Sequence, residues 1–297
     1  MVLTRGLGAQ KYLEAPRLPV ELLTEIAKLV PKSSLWALCR TNRVFHELTV
    51  RYLYRYVTIR CTGRNAADTE DLVRRAQKWC QTVMEKPDKA ALVESVTVTQ
   101  LPSDLMEWDP AQETLIALLK RAFVVLPSLE SLDIDGALNP IVGSLGILDT
   151  LRLPSLRTFR IEMESDQDPN LVDFLSSHPR LKDIELIIDG LEDEELGEEL
   201  TFPELERFTA PFTYWAGLQP NPNLRFAGLH QDRFMDLDHD PFDVIHPLGK
   251  FTGLKSVWLL IPAERTLPYL MDLKEELPML EELSVDFANW NDHGEAV

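Results

Sequence analysis

Cysteine is scarce in this 297-residue sequence: Cys39, Cys61 and Cys80 are the only three. They are odd in number, far apart, and form no Cys-x-x-Cys pair, which argues against a disulfide framework. A reducing compartment, cytosol or nucleus, is expected. No run of 18 apolar residues occurs, so no transmembrane helix is expected. The opening "MVLTRGLGAQKYLEAPR" lacks the apolar core of a secretion signal. Gly-x-Ser-x-Gly, Walker and Gly-x-Gly-x-x-Gly motifs are missing as well, so no cofactor is expected.

What is present is unevenly distributed. The formal charge is -18, yet residues 1–64 carry 11 Lys and Arg against 4 Asp and Glu, a net of +7. The remaining residues carry 19 basic and 44 acidic side chains, a net of -25. Such asymmetry points to two regions with different partners. A body this acidic repels phosphate backbones and argues against nucleic acid as its ligand.

The basic region reads as three short helices. Pro19 suits a first helical position, and Leu22, Leu23, Ile26, Leu29 and Val30 follow at helical spacing. Pro31 ends that helix. Ser33 or Ser34 is expected to cap a second, carrying Leu35, Trp36, Leu38 and Cys39. Thr41 or Asn42 is expected to cap a third, with Phe45, Leu48, Tyr52 and Leu53 as its stripe. So small a bundle needs outside support for its surplus apolar surface.

"LPVELLTEI" followed by "LWALCRTNRVFHELTVRYLY" resembles an F-box. Leu18, Pro19, Glu21, Leu22, Leu23, Ile26, Leu35, Leu38, Asn42, Arg43, Phe45, Leu48, Leu53 and Tyr54 stand in the family's places. Phe45 replaces a frequent Trp, and Thr41-Asn42 a frequent Val-Cys. The resemblance implies docking on the small acidic Skp adaptor, and through it on a cullin–RING ubiquitin ligase. It also implies adaptor contact by Leu18, Pro19, Leu22, Ile26, Leu35, Leu38, Cys39, Val44 and Phe45. A helical cap that merely closes the main domain is the plainer alternative.

Beyond residue 90 the pattern apolar-x-x-apolar-x-apolar recurs, beginning at Val93, Leu129, Leu156, Leu181, Leu205, Leu224, Leu254 and Leu280. The intervals are 36, 27, 25, 24, 19, 30 and 26, with a mean near 27, within the period of leucine-rich repeats. Most units open on Pro-x-Leu. The helical stretches Gln112–Val125, Asn170–His178 and Leu267–Leu277 lie between. From Leu205 to Phe234 the short spacing and "QPNPN" leave no room for a helix, and the Asn of the standard repeat is missing throughout. The stretch resembles the degenerate leucine-rich repeats placed behind F-boxes. The fold class expected is therefore α/β: a three-helix F-box, then a curved solenoid with a parallel sheet on its concave face and helices or loops outside. The organisation expected is a tail (1–15), F-box (16–57), linker helix region (58–90, with a helix from Asp68 to Met84) and repeat domain (91–297).

Strand side chains alternate between faces, so residues between the buried positions should line the concave face and meet a target. They are Asp133, Asp135, Arg160, Glu162, Asp183, Glu185, Arg207, Glu282 and Asp286, joined by Phe226, His230 and Trp258. Seven of the first nine are acidic, so the expected target is a basic protein. The alternative is that the acid only keeps the solenoid soluble. Trp258 is expected on this face as a docking point, unless the chain after Ala288 folds back over it.

Metal chemistry has one candidate, "HQDRFMDLDHDPFDVIH" from His230 to His246, which matches no closed metal motif and reads as an acidic loop. "GLEDEELGEEL" lacks the spacing and glycine of a calcium loop. Cys39 and Cys80 read as packed thiols. The function expected is a non-catalytic substrate receptor of a Skp–cullin–F-box ligase. A leucine-rich-repeat scaffold outside any ligase is the alternative, and a metal-dependent hydrolase a distant one.

Overall fold

The computed structural model describes residues 18–60, 66–99, 110–135, 148, 151–164, 169–189, 199–230, 245–261 and 266–287. The expected tail 1–15, Cys61, most of both acidic loops and the chain after Phe287 lie outside these residues. Contacts divide the chain into Met1–Tyr56 and Val57–Val297.

The first unit holds helices α1 (Val20–Leu29), α2 (Lys32–Cys39) and α3 (Arg43–Arg55). Pro19 is the cap of α1 and not its first residue; its carbonyl accepts from the Leu23 amide at 3.1 Å. Pro31, not a serine, caps α2, because its extended backbone already turns its carbonyl toward the Ser34 and Leu35 amides. Asn42 caps α3 as expected, accepting from the Phe45 amide at 3.0 Å. Thr49, fully buried on α3, is satisfied by donating to the Phe45 carbonyl at 2.6 Å.

The second unit is a nine-stranded sheet in strict chain order. Its strands are β1 (Tyr56–Arg60), β2 (Ser95–Thr99), β3 (Ser131–Asp135), β4 (Thr158–Glu164), β5 (Asp183–Asp189), β6 (Arg207–Pro211), β7 (Phe226–His230), β8 (Ser256–Ile261) and β9 (Glu282–Phe287). Every pair from β2 to β9 is parallel. Each expected repeat delivers one strand, starting two residues after its first motif position. Helices α4 (Ala66–Glu85), α5 (Pro87–Ala90), α6 (Pro110–Val124), α7 (Pro169–Ser176), α8 (Phe212–Gly217) and α9 (Thr266–Glu276), with a 3-10 turn at His246–Lys250, fill the returns. The segment expected as a linker is part of this unit: Ile59, Val73, Ala76, Cys80, Val83 and Ala90 share the apolar core of the sheet. Helix α8 corrects the expectation that the short repeats hold none. Its Tyr214 and Trp215 are buried, and Trp215 meets Phe208 and Phe251 edge-on at centroid distances of 4.8 and 5.6 Å.

Two features of the backbone fix the repeat. In all eight units the amide of the first motif residue donates to the carbonyl three residues back, as in Leu156 to Leu153 at 3.0 Å. Proline at the second place of most of these turns presets the backbone for them. The carbonyl next after the first motif position then takes two amides from the following repeat. Glu94, for example, accepts from Glu130 at 2.8 Å and Ser131 at 3.0 Å. The same double acceptance recurs at Glu130, Arg157, Lys182, Glu206, Arg225 and Lys255.

Candidate protein-interaction surfaces

In the helical unit, Ala27, Leu35, Cys39 and Thr49 are buried. Leu35 and Cys39, expected at the adaptor contact, therefore hold the unit together from inside. Leu38 and Phe45 are half-buried, while Leu18, Pro19, Leu22, Ile26 and Val44 are exposed. On α1, Leu22, Ile26 and Leu29 share one stripe, beside the stripe of Leu23, Ala27 and Val30 that faces inward. The helix is thus apolar over more of its circumference than its own unit covers. Trp36 on α2 and Val44 on α3 are exposed apolar residues as well. Lys32 donates to the Tyr56 carbonyl, and burial pushes its amine down from the usual lysine range. Cys39 Sγ lies 3.1 Å from His46 Nδ1.

In the sheet unit, the expected alternation holds in β2 to β5 and in β8, whereas β6 and β7 bury Thr209, Pro211 and Gly228 as well. Val257 and Leu259 are fully buried while Trp258, between them, is half-buried on the other face. Cross-strand register sets two rows on this open face. One runs Asp133, Arg160, Glu185, Thr209, Gly228, Trp258, Ser284; the other Ser131, Thr158, Asp183, Arg207, Phe226, Ser256, Glu282. Of the two basic residues, Arg160 bridges two acids and Arg207 sits between an acid and an aromatic ring. Arg160 lies 3.9 Å from Asp133 and 3.6 Å from Glu185; Arg207 lies 3.7 Å from Asp183 and stacks 4.1 Å over the Phe226 ring. Burial raises the Asp183 carboxyl, against the lowering pull of Arg207. Glu162 is half-buried on β4. Asp135 and His230 occupy strand positions on β3 and β7, but their side chains lie outside the description.

The Trp258 indole donates to Asp286 at 2.8 Å, and Ser256 donates to Glu282 at 3.1 Å. These two bonds tie the polar side of β9 to β8. Gly228 is glycine because a Cβ there would collide with the Thr209 hydroxyl. Trp258 thus has side-chain-free backbone beside it on β7 and a carboxylate on β9.

Two columns escaped the sequence reading. Three residues before each motif stand Ala90, Leu126, Leu153, His178, Phe202, Asn221, Phe251 and Leu277, all buried. Two are polar and fully used. Asn221 donates to Phe202 at 2.6 Å and Leu205 at 3.1 Å, and accepts from Asn223 at 2.8 Å. His178 Nε2 accepts from the Leu153 amide at 3.0 Å, which leaves the proton on Nδ1 to donate to Phe174 at 2.6 Å. Burial lowers its basicity. The second column, Glu94, Glu130, Arg157, Lys182, Glu206, Arg225, Lys255 and Glu281, is charged at every place. Lys182 pairs with Glu206 at 3.1 Å and Lys255 with Glu281 at 2.6 Å. A recess of about 350 Å³ lined by Lys182, Glu204, Glu206, Asn223 and Arg225 lies along it, its charges engaged with one another and with the backbone.

Of the potential ligands in the metal candidate, only His246 has a described side chain; it lies 3.2 Å from Glu276. Among the described residues no group of three His, Cys, Asp or Glu could hold a metal, and no helix is long and apolar enough to cross a membrane.

No protein-family model and no curated protein matches the sequence. A solved TLR13–ssRNA13 complex overlays at a TM-score of 0.32 and 13% identity, covering 70% of this chain and 35% of that one. The chain therefore spans about a third of that protein's length, and at that score the likeness carries no argument. The fold reading rests on the sheet itself: parallel strands in chain order, each delivered by a leucine-rich turn, define an α/β solenoid of leucine-rich-repeat type.

Proposed function

We propose that the chain is a non-catalytic substrate receptor of a Skp–cullin–F-box ubiquitin ligase. In this reading the helical unit holds the Skp adaptor and the open face of the sheet holds a target protein. The observation that carries it is the second apolar stripe on α1, Leu22, Ile26 and Leu29, which its own unit leaves exposed. A basic segment bearing such a stripe suits a small acidic partner, with charge speeding the encounter and apolar burial holding it. The F-box resemblance names that partner.

Leu18→Ala combined with Ile26→Ala tests it. Buried aliphatic truncations cost about 2–5 kcal/mol each, so the pair should abolish adaptor capture in a pull-down. Wild-type capture by the double variant would sink the assignment. On the target side, Trp258→Ala should weaken target binding by ~2 kcal/mol or more, a larger loss than Asp286→Asn, which weakens only the bond between β8 and β9. The scaffold reading is separated by co-purification: adaptor together with cullin supports a ligase, and adaptor alone supports a scaffold.

A further inference from the structure

The last repeat breaks the pattern of the seven before it. Leu283 is 39% exposed, Leu280 and Val285 are only half-buried, and Met279 is 77% exposed. Strand β9 pairs with β8 over its whole length, from Glu282 to Phe287, and among the described residues nothing pairs with its other edge. The backbone shows the same incompleteness. Seven carbonyls of the charged column each accept two amides from the next repeat. The eighth, Glu281, accepts no such pair among the described residues. In a parallel ladder the N–H and C=O of one residue point to the same side, and successive residues alternate. Since the Glu282 amide bonds back to Lys255 at 3.0 Å, Leu283 presents its amide to the open edge.

We propose that this edge of β9 is a docking site for an extended basic segment of a target protein, added as a further parallel strand. Resting on the reading of the sheet as the target-holding arm, it names the chemistry of the target. The Glu281 carbonyl sets the register, receiving two successive amides of the segment. Alternate side chains of the added strand then fall on two different surfaces. On the open face they meet the exposed carboxylates Glu282 and Asp286. On the core face they cover Leu283, Val285 and Met279. The matching segment alternates Lys or Arg with Val, Ile or Leu. Charge argues against the other occupants. A second copy would bring the same acidic strand and a body of net charge -25. The chain's own residues 288–297 hold Asp292 and Glu295 and no Lys or Arg.

The test uses the full-length protein and two labelled eight-residue peptides of equal composition, one alternating Lys and Val, one with four Lys followed by four Val. Fluorescence anisotropy should show the alternating peptide binding at least about tenfold tighter, with an affinity that falls as salt rises. Leu283→Pro should abolish that preference, since it removes an edge amide while sparing the bonds to β8. N-methylation of alternate peptide residues should abolish it on the unaltered protein, which keeps the test valid if the proline variant misfolds. Glu282→Lys should weaken binding and flatten the salt dependence. Equal binding of both peptides, or indifference to N-methylation, would overturn the inference. So would binding that appears only after residues 288–297 are removed, or a dimer that the alternating peptide does not dissociate. Adaptor capture is measured on the same preparation. Its persistence beside a failed peptide test condemns only the strand addition, and its loss condemns the ligase reading.

Discussion

Within residues 18–56 the buried apolar side chains are Ala27, Leu35 and Cys39, whereas each of the first seven repeats buries all three of its motif positions. Leu18, Val20, Leu22, Ile26, Leu29, Trp36 and Val44 stay exposed in the helical unit. The large apolar residues that the sheet unit exposes include Val124 at the end of α6, Met271 on α9, Met279 in the last turn and Leu283 on the last strand. The contrast follows from geometry. A strand in mid-sheet has neighbours on both sides and a helix or turn against its inner face, so its core closes by repetition. Three short helices have too little mutual surface to close around anything, and their apolar excess remains available to a partner.

That contrast can be broken most severely at Trp215. Trp215→Ala removes the largest fully buried side chain and should cost about 3–5 kcal/mol. Thermal unfolding of the sheet should shift strongly while adaptor capture by the helical unit persists; joint loss would mean the two regions are not independent. Gly253→Ala comes next. A Cβ there would strike the Pro222 carbonyl and lie 3.1 Å from that of Leu224, both backbone, so about 1–3 kcal/mol should be lost. The equivalent turn position elsewhere tolerates a side chain: Ser155 and Asn223 each donate to the proline carbonyl of the preceding repeat, at 2.9 Å.

A smaller effect is expected from pH. The buried His178 is harder to protonate in the folded chain than in the unfolded one. Its contribution to stability is complete above the ordinary histidine value and is lost as pH falls through the lowered folded value. Melting temperature should therefore drop between pH 7.5 and pH 5.5, and His178→Gln should flatten that part of the profile. A raised Asp183 carboxyl acts in the opposite sense and at lower pH, fully stabilising only below the ordinary aspartate value. The least change in stability is expected from Leu18→Ala with Ile26→Ala, below ~1 kcal/mol in calorimetry, because both side chains are largely exposed. A large loss would place them in the core and remove the distinction between the two regions.

The strands were legible because burial writes itself into side-chain choice. Val257 and Leu259 had to be apolar, and period two then sent Trp258 to the other face. The three helices of the first unit were legible for the same reason, although Pro31 displaced the serines as a cap because backbone geometry alone satisfied the first turn. Helix α8 was missed because six residues are too few to show a helical period. His178 and Asn221 were missed because polar residues read as surface, and only the fold shows the carbonyls and amides that occupy them. The doubly accepting carbonyl column was invisible for a more basic reason: it is a property of the main chain, which every residue shares. The two arginines of the open face were read as charge, and only the register showed Arg160 between Asp133 and Glu185 and Arg207 between Asp183 and Phe226.

The carbonyl column also governs how the protein would respond to force. Among the described residues each repeat is tied by backbone bonds only to the repeats before and after it, so a pull on the chain beyond Phe287 loads the β8–β9 ladder before any other described one. The sheet should yield strand by strand from that end. With a mean repeat near 27 residues, each step would release roughly 90 Å of extended chain at ~3.3–3.6 Å per residue. A partner strand seated on β9 would carry the first load, and a tug on the target would be felt as shear along one strand and not as rupture of the whole domain.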